Sequence, residues 1–269
     1  MKIIEGVTMK IFDSHTHLND DHLYSQADRY AEHAKSLGVV KLANVGSNQV
    51  LNDRSLALSA KYNDMYSIIG WHPEDSIHFH DEQKQLLIEQ LQSPKVIAVG
   101  EIGLDYYQTT SPRSIQKRVF KEQIDIAKQL HLPISVHNRE AFEDTYEILK
   151  EMDIHDIGGV MHSFNGDPEW LKKFLDLGMS VSYSGVASFK KTHDVHDAVR
   201  NTPFDRMLVE TDAPYLAPEP LRGKQNEPAY TLYTVEAIAR LCDVNPDVIA
   251  AHTYSNALRL FGIEDNEKN

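Results

Sequence analysis

Two histidines one residue apart, His15 and His17, close the run Phe12-Asp13-Ser14-His15-Thr16-His17-Leu18. If the apolar start of that run is a strand, its period of two turns both imidazoles to one face, where they can grip one metal ion. Two imidazoles alone make a poor site, so further nitrogen and oxygen donors must arrive from elsewhere. Candidates stand at the ends of other short apolar runs. Glu101 sits in Val99-Gly100-Glu101-Ile102-Gly103-Leu104-Asp105, His137 in Ile134-Ser135-Val136-His137-Asn138-Arg139, His162 in Gly159-Val160-Met161-His162-Ser163-Phe164, and Asp212 in Val209-Glu210-Thr211-Asp212-Ala213-Pro214. Four histidines and two carboxylates suffice for two ions, with Glu101 able to bridge them through its two oxygens.

The elements that must position these residues follow from the alternation along the chain. Short β-branched runs alternate with longer amphipathic segments, the pattern of βα units in a parallel sheet. Eight strands are expected, at Lys10–Ser14, Val39–Val45, Met65–Gly70, Val96–Glu101, Pro133–His137, Gly158–His162, Met179–Tyr183 and Met207–Glu210. Between them lie helical patterns such as 113–130, where Ile115, Val119, Phe120, Ile124, Ala127 and Leu130 recur at three and four. Two more, 231–242 and 246–260, finish the chain. Eight units close an α/β barrel of the TIM (β/α)8 type, with an open doubly wound sheet as the competing architecture. In such a barrel the functional residues stand where strands run into the following loops, which is where all six donors fall.

Composition narrows the class. A chain of 269 residues with 41% hydrophobic and 25% charged residues is globular, and about 250 residues is ordinary for one barrel. We expect an N-terminal extension over 1–9, with Met9 a plausible alternative start, and one domain over 10–263. No apolar run approaches the roughly 18 residues of a membrane span, and the first residues lack a signal-peptide pattern. The lone Cys242, expected to be buried, excludes an internal disulfide and suits the cytoplasm. A net charge of −13 argues against tight duplex binding but not against a transient phosphodiester, because bound divalent ions reverse the local sign.

On these residues the chain resembles the TatD family of metal-dependent deoxyribonucleases, among the amidohydrolase-like barrels of metallo-dependent hydrolases. The resemblance runs from Phe12 to Phe261. It is carried by the His15 and His17 motif, Gly70-Trp71-His72-Pro73, Gly100-Glu101-Ile102-Gly103-Leu104-Asp105-Tyr106-Tyr107, the His137 and His162 segments, Glu210-Thr211-Asp212-Ala213-Pro214-Tyr215, and Arg222-Gly223-Lys224-Gln225-Asn226-Glu227-Pro228. It implies a divalent-metal centre bound by His15, His17, Glu101, His137, His162 and Asp212, and hydrolysis of nucleic-acid phosphodiesters.

The expected chemistry uses two divalent ions (magnesium, manganese or zinc) about 4 Å apart, which activate a water and neutralise phosphoryl charge. His15, His17 and Asp212 are assigned to the first ion, His137 and His162 to the second, and Glu101 to both. Asp212 is the candidate acceptor for the proton of the attacking water. His72, Arg139, Arg222 and Lys224 are candidates for holding substrate. Asp105 and Tyr106 are candidates for orienting Glu101 or stacking on a base, and Glu210 for a structural network. The expected activity is 3'-5' exonuclease action by a monomer on transiently bound single-stranded DNA. The competing chemistry is attack on a carbon centre such as an amide, lactone or aminoacyl ester. A bridging glutamate, where many amidohydrolases carry a modified lysine, and the basic candidates favour phosphate. A non-catalytic metal barrel would predict missing ligands, and none is missing.

Overall fold

The computed structural model of the chain describes residues 9–108 and 110–265. Eight strands follow one another in sheet order as in sequence: β1 Ile11–Thr16, β2 Val39–Val45, β3 Met65–Ile69, β4 Val96–Asp105, β5 Ile134–Arg139, β6 Gly159–Met161, β7 Ser180–Tyr183 and β8 Met207–Val209. Each pair of successive strands is parallel. Helices α1 (Ala27–Ser36), α2 (Gln49–Lys61), α3 (Asp81–Gln90), α4 (Arg113–Leu130), α5 (Phe142–Glu151), α6 (Pro168–Asp176), α7 (His193–Asn201) and α8 (Thr231–Cys242) follow strands 1 to 8 in turn, and α9 (Pro246–Leu260) ends the fold. This is the expected (β/α)8 barrel, not the open sheet. The expected extension lies outside the described residues except for Met9, which packs half-buried against the core. No helix among the described residues is long and apolar enough to cross a membrane. Cys242 is half-buried rather than enclosed.

The seam between β1 and β8 closes through groups at their upper ends. Asp212 N–H donates to the His15 carbonyl at 2.9 Å and His17 N–H to the Ala213 carbonyl at 2.8 Å. Buried Asp13 accepts Thr211 N–H at 2.9 Å and the Thr211 hydroxyl at 2.6 Å. The strands that carry His15, His17 and Asp212 are thereby held in fixed register.

Two apolar layers line the strands. Ile11, Leu42, Ile69, Val99, Ile102, Val136, Met161 and Val209 pack outward against the helices. Phe12, Ala43, Ile68, Ala98, Val160 and Leu208 fill the interior, together with Tyr254, Ala257 and Phe261 at the chain's end. Phe12 and Phe261 rings lie 6.0 Å apart, so α9 and the residue after it plug the end of the barrel opposite the ligands.

Toward the ligand ends of β1 and β4 the inward and outward alternation changes phase. Between Asp13 and Thr16 β1 uses three steps against two in β2, and between Val99 and Ile102 β4 uses three against two in β5. Each extra residue is a bulge. It lets Phe12 and then His15 and His17 face inward, and likewise Ala98 and then Glu101 and Asp105. Gly103 lies between the last two with φ at +144°, and a Cβ there would sit 2.0 Å from the His137 carbonyl oxygen, so only glycine keeps β4 paired to β5 at this height.

Candidate metal centre

All six expected ligands converge at the upper mouth. His15 and His17 face each other with Nε2 atoms 3.2 Å apart, and His137 Nδ1 faces His162 Nε2 at 3.3 Å. Glu101 lies between the two pairs. Its Oε1 is 2.8 Å from His137 Nδ1 and 2.7 Å from His162 Nε2, while its Oε2 is 3.5 Å from His15 Nε2 and 3.6 Å from His17 Nε2. Asp212 brings Oδ1 to 3.3 Å from His17 Nε2 and 3.8 Å from His15 Nε2. It adopts a left-handed backbone with φ at +56°, a conformation aspartate tolerates better than most residues.

Each imidazole is aimed by its remote nitrogen. His17 donates Nδ1–H to the Val45 carbonyl at 2.9 Å, His137 donates Nε2–H to Asp105 Oδ2 at 2.9 Å, and His162 donates Nδ1–H to Glu210 Oε1 at 3.3 Å. His15 Nδ1 stands 3.5 Å from the Ser135 hydroxyl. When neutral, His17, His137 and His162 each turn a lone pair toward the centre. Facing lone pairs about 3 Å apart repel unless a proton or a cation lies between them.

The electrostatics say the same. Burial pushes the Glu101 carboxyl up, but the neighbouring His162 and the bonds to His137 and His15 outweigh it and hold the group well below its usual range. Asp212 is likewise lowered against the effect of burial, chiefly by His17. Burial would lower His17, yet Asp212 and Glu101 raise it to about 9. His162 is raised well above its ordinary value by Glu101 and Glu210, again against burial. Glu210 is fully buried, and its Oε2 has no partner among the described residues. The carboxylates thus call for positive charge, and the donor set, imidazole nitrogen with carboxylate oxygen, fits divalent metal.

His72 behaves differently. Its Nδ1 accepts Glu74 N–H at 3.2 Å, so the neutral ring carries its proton on Nε2, 3.6 Å from Glu101 Oε1. Burial and the adjacent His137 lower it to about 3, which keeps it neutral. It therefore offers the mouth a donor rather than a lone pair.

The remaining candidates lie around the rim. The Arg139 guanidinium lies 3.9 Å from the Tyr107 ring centroid and that of Arg222 4.2 Å from Phe189, while Lys224 is exposed. Two expectations are corrected. Asp105 orients His137, not Glu101, and also accepts the N–H groups of Tyr107 at 2.9 Å and Gln108 at 2.8 Å. Tyr106 is no open platform: it is buried, its hydroxyl donates to Asp144 at 2.6 Å and Arg113 covers its ring at 4.0 Å. The exposed ring is that of its neighbour, Tyr107.

Two residues that the sequence reading did not single out support the loops. Gln123 of α4 accepts Trp71 N–H at 2.7 Å and donates to the Trp71 carbonyl at 3.0 Å. One face-repeat earlier, Gln116 accepts Asp105 N–H and donates to the Asp105 carbonyl, both at 2.9 Å. A pair of glutamines seven apart on the apolar side of a helix was the available clue.

A family model described as TatD related DNase matches residues 12–262. A Bacillus subtilis (strain 168) protein, "Uncharacterized metal-dependent hydrolase YabD", is 40% identical over 253 residues, covering 94% of this chain and 99% of its own. The "3'-5' ssDNA/RNA exonuclease TatD" of Salmonella typhimurium is 30% identical over 258 residues, 94% of this chain and 99% of that protein. Among solved structures, the TatD homologue YJJV of Escherichia coli K12 superposes with a TM-score of 0.91 at 26% identity, covering 96% of this chain and 100% of that one.

Proposed function

The chain belongs to the TatD related DNase family of metal-dependent hydrolases, and from that premise we propose that it is a two-metal phosphodiesterase removing nucleotides from the 3' end of single-stranded DNA. The observation that carries this reading is the division of Glu101, one oxygen toward His137 and His162 and the other toward His15 and His17. His15, His17 and Asp212 would hold one ion, His137 and His162 the other, and Glu101 both. When bound, divalent ions lower the pKa of water and neutralise the phosphoryl oxygens. The ligand set suits zinc or manganese in the isolated protein and admits magnesium in turnover.

Within that frame the side chains have separate tasks. Asp212, half-buried at the mouth, takes the proton of the attacking water. His72 donates Nε2–H to a phosphoryl or leaving oxygen, and its neutrality leaves that proton in place as the substrate's charge arrives. Lys224, exposed in the loop after β8, reaches for a backbone phosphate, and Arg139 and Arg222 keep guanidinium edges available for the same purpose while their faces lie on rings. A reducing cytoplasm is compatible with the single cysteine, and there we infer that a monomer acts.

The test is cleavage of end-labelled single-stranded DNA by metal-free protein re-supplied separately with magnesium, manganese and zinc. A metal-dependent ladder from the 3' end that is absent with Glu101→Ala is the expected result. An Asp212→Asn protein that keeps most of the activity would remove the proton-acceptor role. Metal uptake without cleavage would transfer the assignment to amide, lactone or aminoacyl ester substrates.

A further inference from the structure

Two tyrosine rings stand open beside the ligands. Tyr107 is 57% exposed and Tyr215 is 53% exposed, the two aromatic side chains among the large hydrophobics exposed in the described residues. Tyr107 follows β4, which carries Glu101 and Asp105, and Tyr215 follows β8, which leads to Asp212. These strands are four apart in an eight-strand order, so the rings stand on opposite sides of the mouth.

Both rings are tied to the ligand segments. Tyr107 N–H donates to Asp105 Oδ1 at 2.9 Å, the carboxylate that aims His137. One face of its ring carries the Arg139 guanidinium, which leaves the other face open. Tyr215 N–H donates to the Asp212 carbonyl at 2.9 Å, its own carbonyl accepts Asn226 Nδ2–H at 2.6 Å, and its ring meets His17 edge to face at 6.4 Å. An exposed, anchored aromatic face gains little from water and much from a flat partner. On a chain of net charge −13, stacking is also the attraction to a polyanion that does not depend on positive surface charge.

We propose that Tyr107 and Tyr215 are stacking platforms that receive the two nucleobases flanking the scissile phosphodiester, one on each side of the metal centre. This rests on the phosphodiesterase reading above and deepens it: the substrate class is a single strand with unpaired bases at its end, taken without regard to base identity because every base has a π-face. Arg139 then acts by stiffening the Tyr107 platform and by offering its edge to the backbone.

The experiment compares an oligothymidylate with the same oligomer carrying an abasic residue at the last or the next-to-last position. For the wild-type protein each missing base is expected to lower kcat/KM by about tenfold. Tyr107→Ala and Tyr215→Ala should each lose a similar factor on the intact oligomer, lose nothing more on the oligomer lacking the base each ring holds, and recover with phenylalanine or tryptophan in place. Metal content and thermal melting of the variants, unchanged from wild type, separate loss of a platform from loss of structure. Equal losses on intact and abasic oligomers, no loss at all, or a wild-type protein indifferent to missing bases would each overturn the proposal while leaving phosphodiester cleavage standing. A wild-type protein that cleaves neither oligomer removes the phosphodiesterase reading, and the platforms with it.

Discussion

Asp105 does at the residue scale what no neutral isostere can. Its two oxygens accept three donors, the His137 ring and two backbone N–H groups. Asparagine has one acceptor oxygen, so Asp105→Asn must either leave both backbone N–H groups facing an amide nitrogen or turn that nitrogen toward His137. The second choice moves the ring proton to Nδ1 and removes the lone pair from the centre. We expect Asp105→Asn to weaken metal binding by about 10–100-fold, read by competition with a chelator. Affinity unchanged from wild type would mean that His137 is not held through its Nε2–H.

Among the elements, α4 links the loops after β3 and β4. Gln116 and Gln123 each clamp both backbone groups of one buried residue, so the helix sets the height of Asp105 and of Trp71, next to His72. Replacing Gln123 with leucine keeps the bulk and leaves the N–H and carbonyl of Trp71 unpaired. A loss on the order of 2 kcal/mol is expected in urea unfolding, because each buried orphan costs about 1–3 kcal/mol. A loss below 0.5 kcal/mol, about the level of an ordinary surface change, would show that water replaces the clamp. The helix itself is plain in the sequence, since its apolar residues recur at three and four over 113–130. The two glutamines are not, because polar residues on an apolar face acquire a role only when a particular loop is packed over them.

For the whole molecule, the proposed centre would make stability depend on metal. Carboxylates and facing imidazoles from strands 1, 4, 5 and 6 and from the end of strand 8 converge, so removing cations leaves opposed lone pairs and charges inside the folded state. An ion present at a hundred times its dissociation constant stabilises by about 2.7 kcal/mol. Chelation should therefore lower the melting temperature by roughly 5–10 °C, reversibly on return of zinc or manganese. Glu101→Ala, which severs both halves of the centre, should respond less. Identical melting with and without chelator would contradict a resident metal centre.

The sequence by itself determined the number and order of the strands, the helices at 113–130, 231–242 and 246–260, and the six residues brought to one end. All of these follow from local periodicity and from donors repeating at strand ends. His137 and His162 keep the simple alternation of their strands, with Val136 and Met161 packed outward beside them. The tertiary structure alone decided how His15, His17 and Glu101 turn inward, because the bulges in β1 and β4 reverse the phase that Phe12 and Ala98 set. A bulge is defined against the neighbouring strand, so the glycines at 100 and 103 admit one in β4 without fixing its place. The same holds for Tyr106 and Tyr107, adjacent tyrosines of which one is buried under Arg113 and the other open beside Arg139. Which ring meets solvent depends on where the loop after β4 is pinned, and Asp105 at the end of β4 and Gln116 on the following helix α4 do that pinning.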